Sequence, residues 1–565
     1  MRPVSDSAAI PPAPGTYRRG WVWAILLWCV SVVAAIGLRP LLPVDETRYA
    51  AVAWEMHVSG DWLVPHLNGQ PYHHKPPLLF WLMNLGWSIG GVGEIWTRLV
   101  APLCGLAALL LSAALSRRMW PGRPRVPGLA ALILLGSTLF TLFTTLIFFD
   151  VPLTASVLLG WLGLWKVARD EGRTGWILVA LGIGLGALFK GPVVLLHVGL
   201  AIVLAPAWLP QRPVSWSRWY GKAMLMILLG ASLALAWALP AARAGGEEFS
   251  RMLFFGQHAG RIVKSFQHAK PFWWYLVLLP GILFPWTLWG GSWRSAKNLS
   301  GWRQDPALRF VVFVFVADLA VFSLISGKQP QYLLPLFPLV AMGLARILEA
   351  TPFTDSKSDR IIPGLLSALI GLVLLLGKPI GSWLVAQHWI QPLPEVVSEI
   401  SPGWGLAWLA LAGLVFFDKA RTLEARVISL TALITAWMTL GQAIYFGAER
   451  EKFDLKPISQ SLAKAQEAGR ELSLFGGYQG QFHFTGRLSR PLVLLQESNF
   501  EKWASDHPDA LVVVLHRRLP QKGLAVQPEF IFPHRGRMCC GWRARDLMSL
   551  GHGWIQQTLS DSVSL

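Results

Sequence analysis

A long polar stretch of this chain begins with Val44-Asp45-Glu46-Thr47-Arg48-Tyr49 and ends with His73-His74-Lys75-Pro76-Pro77. It lies between two strongly apolar segments and carries four acids, Arg48, Lys75 and four histidines. Polar loops of this length are uncommon in proteins unless they are functional. The stretch is therefore the first candidate for a functional site.

Two helices are predicted around this loop. Residues 46–58 place apolar side chains on one face, which predicts a helix lying in the membrane interface. Pro76-Pro77 then precedes an apolar run that continues to Ile89. Proline is well tolerated in a first helical turn, so a second helix is predicted there.

The composition is that of a polytopic membrane protein. Of 565 residues, 53% are hydrophobic and only 15% are charged, whereas a soluble domain carries roughly 25% charge. The 30 tryptophans suit the aromatic belts at the two membrane interfaces. Four cysteines are too few for a disulfide framework, and we interpret the adjacent Cys539 and Cys540 as thiols or small core residues.

Thirteen apolar segments approach the roughly 20 residues that a membrane span needs. We predict an all-α membrane domain over residues 20–449, preceded by a disordered cytoplasmic tail, residues 1–19, with residues 45–94 as the first outside loop. The predicted spans are 20–38, 95–116, 127–148, 151–168, 175–190, 192–209, 222–242, 272–291, 308–326, 331–349, 361–377, 403–418 and 427–446.

Every second loop between these spans is basic. Cytoplasmic loops are enriched in Lys and Arg, so this alternation places the N-terminus inside and the C-terminus outside. Much of the net charge of +18 is then explained by the orientation of the spans in the membrane, and no nucleic-acid partner is expected. The alternative is a surface for an anionic polymer.

The unusual polar residues gather on the outside face. Charge beside an apolar span is costly and is usually paired or functional. For Lys190 and Lys328 the alternative is snorkelling of the ammonium toward lipid headgroups. The set on this face is Asp45, Lys75, Asp150, Lys190, His268 and Lys328.

Residues 450–565 are polar and predict a small outside α/β domain. Short buried strands are expected at 471–475 and 511–515, and a helix at 454–468. Gly476-Gly477-Tyr478-Gln479-Gly480 follows the first strand but lacks the context of a phosphate-binding fingerprint. We interpret it as a loop that could face the membrane domain.

This outside face favours one kind of chemistry. The sequence has no nucleotide-binding or zinc-protease motif, so an activated group would have to arrive on a lipid. Arg48, Lys75, Lys190 and Lys328 could bind its phosphate. Asp45, with Asp150, could orient or deprotonate an acceptor. Group transfer from a polyprenyl phosphate is favoured over lipid or solute transport, which stays open on topology.

Several motifs, spread over about residues 20–350, resemble the bacterial lipid A aminoarabinose transferases and their dolichyl-phosphate-mannose-type relatives. The motifs are residues 44–50, 59–62, 68–69, 75–77, 189–192, 272–275 and 331–335. The resemblance implies a GT-C fold with about thirteen spans, interfacial helices in the first outside loop and a C-terminal periplasmic domain. It also implies an inverting glycosyltransferase of the bacterial inner membrane, with its site facing the periplasm.

The resemblance also assigns roles to individual residues. Asp45 matches the catalytic acid, Asp150 a second acid, and Lys75 the lysine that binds the donor phosphate. Tyr332 matches a tyrosine that contacts the phosphate or the acid. The family can bind zinc; the matching positions are His74, where the family has an acid, and His268. Two interfacial histidines are the alternative interpretation.

The partners follow from the same resemblance. The donor would be an undecaprenyl phosphate sugar, and the favoured acceptor is a phosphate of lipid A. That phosphate is largely ionised at pH 7, so Asp45 would orient the acceptor or balance an amino sugar. Transfer of a mannose-type sugar to protein hydroxyls or other glycans would instead need Asp45 as a general base. We expect a monomer.

Overall fold

The structure is a computed structural model that describes residues 16–256, 269–297, 301–517 and 526–551. Most of the predicted tail and His268 therefore lie outside the described residues. The first part of the chain forms α1 (Thr16–Leu38), α2 (Asp45–Ser59), β1 (His66–Leu67), β2 (Gln70–Pro71), α3 (Leu78–Gly90), α4 (Glu94–Met119), α5 (Val126–Leu135), α6 (Thr138–Phe143), α7 (Asp150–Ala168), α8 (Thr174–Lys190), α9 (Val194–Val203), α10 (Ala205–Trp208), α11 (Trp216–Ala244) and α12 (Gly246–Arg251).

The remaining elements comprise further apolar helices and the C-terminal domain. They are α13 (Trp274–Ile282), α14 (Gly290–Ala296), α15 (Pro306–Leu324), a 3-10 helix (Pro330–Leu336), α16 (Phe337–Glu349), α17 (Ser358–Ala386), α18 (Glu395–Glu399), α19 (Trp404–Phe417), α20 (Leu423–Phe453), α21 (Lys456–Glu467), β3 (Leu472–Phe475), α22 (His483–Gly486), β4 (Val493–Leu495), α23 (Glu497–Asp506), β5 (Leu511–His516), β6 (Phe530–His534), β7 (Arg537–Arg543) and α24 (Ala544–Ser549).

The predicted helical membrane domain is confirmed. Within the described ranges, eight helical segments are long and apolar enough to cross a membrane. The other five predicted spans contain shorter helices: α5 with α6, α8, α9 with α10, α13, and α19. The number of crossings, thirteen, stays a prediction. Helices α2 and α3 form where the polar stretch predicted them.

Glycines bring α7 and α8 into close contact. A Cβ on Gly182 would lie 2.5 Å from the backbone N of Gly160, and a Cβ on Gly163 would lie 2.5 Å from the carbonyl oxygen of Gly175. Small residues allow membrane helices to approach closely. Because α7 begins at Asp150 and α8 ends at Lys190, this packing sets these two predicted site residues side by side.

A buried pair joins α9 to α15. His197 Nδ1 lies 2.8 Å from Asp318 Oδ2, and both side chains are fully buried. Polar side chains inside a span are stable when they pair with each other. The pair fixes the helix that follows Lys190 against the helix that precedes Lys328 and Tyr332.

Ion pairs connect the loops that were predicted to be cytoplasmic. Arg118 pairs with Glu171, Arg123 Nη1 lies 3.3 Å from Glu349, and Arg125 Nε lies 3.2 Å from Glu424. Each pair joins two different basic loops. The basic loops therefore share one face of the molecule, as the alternation of charge requires.

The C-terminal domain is a five-stranded mixed sheet in the order β4-β3-β5-β7-β6. β3 runs parallel to β4 and β5, and β7 runs antiparallel to β5 and β6. The two predicted strands and the predicted helix, here α21, are present. Cys539 and Cys540 are free, buried thiols that face opposite sides of β7. Helix α20 continues to Phe453, four residues beyond the predicted boundary.

Buried histidines make this domain sensitive to acid. Burial lowers the pKa of His483, His516 and His534 from 6.5 to about 4. The unfolded chain therefore binds more protons than the folded domain between these values. Stability should fall as the pH drops from 6.5 toward 4, by on the order of 2 kcal/mol per histidine at pH 5.

We expect His534→Gln to weaken this pH dependence, because its ring is 1% exposed and glutamine does not titrate. The measurement is hydrogen exchange of strand β5 in the full chain at pH 7 and pH 5, corrected for the intrinsic rate. His388→Asn, at an exposed histidine with a φ of 61°, is the control. An identical loss of protection in wild type and His534→Gln would contradict this account.

Candidate functional site

A buried carboxylate, Glu46, connects the first span to the polar stretch. Its side chain is 1% exposed and Arg39 is 3% exposed. Arg39 donates from Nη1 to Glu46 Oε2 at 2.5 Å and from Nη2 to Oε1 at 3.1 Å. A bidentate pair of this kind is geometrically specific. It fixes the start of α2 against the end of α1.

The same carboxylate reaches the segment that precedes α7. Glu46 accepts from the backbone N–H groups of Leu42 and Ile147 at 2.9 and 2.8 Å. Arg39 Nη2 also donates to the carbonyl of Thr145 at 2.6 Å. Since Asp45 adjoins Glu46 and Asp150 follows Ile147 by three residues, one ion pair positions both predicted acids.

Phe149 lies where the two parts of the site meet. Its ring makes edge-to-face contacts with Tyr49 and Phe80, with centroids 4.8 and 5.8 Å away. Lys75 Nζ lies 5.5 Å from the Phe149 ring centroid, within reach of a cation–π interaction. The predicted phosphate-binding lysine therefore lies beside the residue that precedes Asp150.

Asp45 begins α2 and remains accessible. Its Oδ1 accepts from Arg48 Nη2 and, at 3.3 Å, from the Tyr49 hydroxyl. The Asp45 side chain is 43% exposed and that of Arg48 is 24% exposed. This acid is held in one orientation and can still meet a substrate.

Asp150 is enclosed. Its carboxylate pairs with Lys190, and the two side chains are 5% and 14% exposed. The Lys190 ammonium lies 4.5 Å from the ring centroid of Tyr332. The structure thus brings Asp150, Lys190 and Tyr332 together. Phe149, which precedes Asp150, contacts Lys75 and Tyr49, and Tyr49 in turn contacts Asp45.

Lys328 lies in the loop before Tyr332, and its ammonium contacts the backbone. It donates to the carbonyls of Lys270 and Ile325 at 3.0 and 2.5 Å, and the residue is 3% exposed. These bonds tie two segments of the outside face together. The predicted role of Lys328 in binding the donor phosphate stays a prediction.

The described residues alone do not assemble a zinc site. His74 is exposed, and its ring lies 4.3 Å from that of His73 and 5.3 Å from that of Tyr72. Among the residues that the structure describes, no group of three His, Cys, Asp or Glu side chains could hold a metal. Because His268 lies outside them, zinc binding stays a prediction and no chemistry is derived from it.

The C-terminal domain reaches the site through the predicted loop at 476–480. Arg48 Nη1 donates to Gln479 Oε1 at 3.1 Å. The interpretation that this loop faces the membrane domain is confirmed. A residue from the far end of the sequence thereby contacts the partner of Asp45.

Arg39 and Arg98 were not singled out from the sequence, and Gln479 was named only as part of the loop at 476–480. Arg98 donates to the carbonyls of Ala35, Ile36 and Arg39 at 2.7 to 3.0 Å, closing the end of α1. The two arginines could have been found from the sequence, since each is a charged residue at the end of an apolar span and such a residue needs a partner. Glu46 is the acid within reach of Arg39 along the chain.

Comparison with known proteins agrees with these features. The family profile of dolichyl-phosphate-mannose-protein mannosyltransferases matches residues 74–237. The undecaprenyl phosphate-α-4-amino-4-deoxy-L-arabinose arabinosyl transferase of Pseudomonas paraeruginosa is 31% identical over 438 residues, covering 70% of this chain and 76% of that protein. The enzyme of the same name from Edwardsiella ictaluri is 31% identical over 386 residues, covering 65% and 67%.

Solved structures show the same fold. The crystal structure of ArnT from Cupriavidus metallidurans in the apo state covers 96% of this chain and 100% of its own, with a TM-score of 0.72 at 19% identity. The structure of that protein bound to undecaprenyl phosphate gives a TM-score of 0.69 at 20% identity, covering 96% and 99%. At this identity the likeness establishes the architecture, a GT-C fold.

We expect Glu46→Gln to destabilise the protein and to abolish its activity. The substitution leaves the Arg39 guanidinium buried without its charge partner, which should cost about 3–5 kcal/mol. The control is Glu94→Gln, which removes a 27%-exposed acid that pairs with Arg98 and Lys456. Arg98 keeps its bonds to three backbone carbonyls, so this change should cost only about 1 kcal/mol. Thermal unfolding in detergent compares the two; equal melting temperatures would contradict the role given to Glu46.

Proposed function

This chain belongs to the family of undecaprenyl phosphate-α-4-amino-4-deoxy-L-arabinose arabinosyl transferases, and we propose that it moves 4-amino-4-deoxy-L-arabinose from undecaprenyl phosphate to a phosphate of lipid A. It is a multi-pass membrane glycosyltransferase that uses a polyprenyl phosphate sugar. The proposal is supported by the accessible Asp45 carboxylate beside Arg48 and by Phe149, which links Lys75 to the start of the helix that carries Asp150 of the enclosed Asp150–Lys190 pair.

The proposed reaction exchanges one phosphate for another at the anomeric carbon. A lipid A phosphate oxygen attacks the anomeric carbon, and the bond between that carbon and the donor phosphate oxygen breaks. Undecaprenyl phosphate leaves with the electron pair and gains negative charge. Lys75 and Arg48 would stabilise that charge, because charge-assisted hydrogen bonds to phosphate are strong.

The proposed acceptor determines the role of Asp45. A phosphate monoester has a second pKa of about 6, so the lipid A phosphate needs no general base. The accessible Asp45 would orient the acceptor or balance the ammonium of the amino sugar. Asp150, whose charge is already paired with Lys190, would hold that lysine and Tyr332 in place.

We place the reaction at the periplasmic face of the inner membrane. The candidate site lies at the ends of the spans opposite the connected basic loops, and basic loops are cytoplasmic. A lipid-linked donor suits a compartment that has no nucleotide supply.

We expect Asp45→Asn to stop transfer while leaving donor binding intact, because the amide keeps the shape of the side chain and loses its charge. The measurement is mass spectrometry of lipid A from cells that carry each variant as their only copy. Wild type should add one amino-pentose to lipid A; Asp45→Asn should not.

Asp61→Asn is the matched control for Asp45→Asn. Asp61 is an acid of the same loop whose Oδ1 accepts from the backbone of Leu63 and Val64, and an asparagine oxygen can accept the same bonds. An unmodified lipid A in the wild-type strain would sink the acceptor assignment. A different sugar increment would change the donor, and a glycosylated protein would point to the mannosyltransferase-like alternative.

We expect Lys75→Ala to weaken the binding of undecaprenyl phosphate about tenfold to a hundredfold, the loss of one charge-assisted hydrogen bond. Lys75→Arg should recover only part of this affinity, because a planar guanidinium keeps the positive charge but does not replace a compact ammonium. Titration of each purified variant with undecaprenyl phosphate measures this. Lys270→Ala, an exposed lysine of the same face, should bind like wild type; unchanged affinity in Lys75→Ala would reassign the phosphate to Arg48 or Lys190.

A further inference from the structure

The C-terminal domain is docked on the loop that carries the candidate site. Asn68 Nδ2 donates to the Leu492 carbonyl at 2.9 Å, and the Leu492 N–H donates to Asn68 Oδ1 at 2.8 Å. Trp54 Nε1 donates to the carbonyl of Leu488 at 2.8 Å. The contacts are made by α2 and by the β1–β2 turn, so the domain is attached to the site itself.

Aromatic contacts strengthen this attachment. Phe484 stacks on Trp87 with centroids 5.4 Å apart and planes inclined by 10°. The Arg487 guanidinium lies 4.1 Å from the Phe484 ring centroid and 5.2 Å from that of Trp54. Rings and a cation from both domains thus form one packed layer.

The loop at 476–480 approaches α2 more closely than a side chain would allow. Gly480 has a φ of +76°, and a Cβ there would lie 2.4 Å from Leu67 Cδ1 and 2.8 Å from the Ala51 Cβ. Gln481, which is 1% exposed, accepts from the Gln479 N–H at 3.0 Å. The backbone of Gln479 is therefore fixed against α2.

The Gln479 side chain completes a bridge between the two domains. One guanidinium, that of Arg48, donates from Nη1 to Gln479 Oε1 at 3.1 Å and from Nη2 to Asp45 Oδ1. The amide oxygen is a neutral acceptor, so it orients Arg48 without cancelling its charge. A guanidinium held at two nitrogens has a defined plane, which in turn fixes the Asp45 carboxylate.

We propose that Gln479 is a positioning residue of the transfer reaction: it holds Arg48 so that Asp45 keeps its orientation and Arg48 keeps its charge for the donor phosphate. This inference rests on the proposed function for the roles of Asp45 and Arg48. It gives the C-terminal domain a direct part in the site.

Two substitutions at Gln479 separate orientation from charge. Gln479→Ala removes the acceptor, so kcat should fall about tenfold while the affinity for undecaprenyl phosphate changes little. Gln479→Glu keeps the shape and adds a second carboxylate to Arg48, so the affinity for undecaprenyl phosphate should fall about tenfold. Wild-type kinetics in Gln479→Ala, or wild-type affinity in Gln479→Glu, would overturn the proposal.

A double-mutant cycle tests whether Gln479 acts through Arg48. The Arg48→Lys variant has a single ammonium, which cannot reproduce the bonds that the two terminal nitrogens of Arg48 make to Gln479 and Asp45. In an Arg48→Lys background, Gln479→Ala should therefore cause no further loss of kcat. If the fold-losses in kcat of the two single substitutions multiply in the double variant, Gln479 does not act through Arg48 and the assignment is overturned.

Asn68→Ala is the matched control for docking. It removes both hydrogen bonds to Leu492 and touches neither Arg48 nor Gln479. Hydrogen exchange of the C-terminal domain should rise, with kcat near the wild-type value. A loss of kcat as large as that of Gln479→Ala would mean that docking alone explains the effect, and the proposal would fail.

The binding measurements also distinguish this proposal from the proposed function. Titration with undecaprenyl phosphate alone needs no acceptor and no amino sugar. If wild type binds this lipid but adds no amino-pentose to lipid A, the proposed function fails. The affinity of Gln479→Glu for undecaprenyl phosphate then still tests the role of Gln479. If transfer is confirmed and Gln479→Glu binds normally, only the present inference fails.

Discussion

The arrangement depends on the buried ion pair between Arg39 and Glu46. Removing two charges from water is expensive, and a buried pair is stable only where its remaining hydrogen-bonding capacity is also used. Here the Glu46 carboxylate accepts from Arg39 and from the backbone of Leu42 and Ile147. The hydrogen bonds that stabilise the Glu46 charge also join α1, α2 and the segment before α7. The same bonds therefore contribute to the stability of the fold and to the geometry of the site.

From this pair the two acids acquire different environments. Asp45, one residue before Glu46, stays 43% exposed with its Oδ1 held by Arg48 and Tyr49. Asp150, three residues after Ile147, is 5% exposed and paired with Lys190. Two carboxylates close to one another can serve different roles when burial and partners differ. An accessible acid suits contact with substrates, whereas an enclosed pair suits the support of neighbouring groups.

Hydropathy was sufficient to predict the helical membrane domain and the small α/β domain, because these follow from local composition. The side-chain partners were not predictable in the same way. Gln479 lies 431 positions from Arg48, and no local pattern encodes that contact. The same holds for Lys328, whose partners in the structure are backbone carbonyls that depend on how two loops pack.

The attachment of the C-terminal domain has a physical consequence for the site. α2 lies between two restraints: Glu46 fixes its start from the membrane side, and Asn68 and Trp54 fix its loop and its middle from the domain side. A helix of fifteen residues at a membrane interface is marginal alone, since short helices depend on tertiary packing for stability. Loss of the Glu46 restraint, or detachment of the whole C-terminal domain rather than of the Asn68 bonds alone, would let α2 tilt, and Asp45 and Arg48, both in its first turn, would move together. The site is therefore rigid only when the membrane domain and the C-terminal domain are both in place.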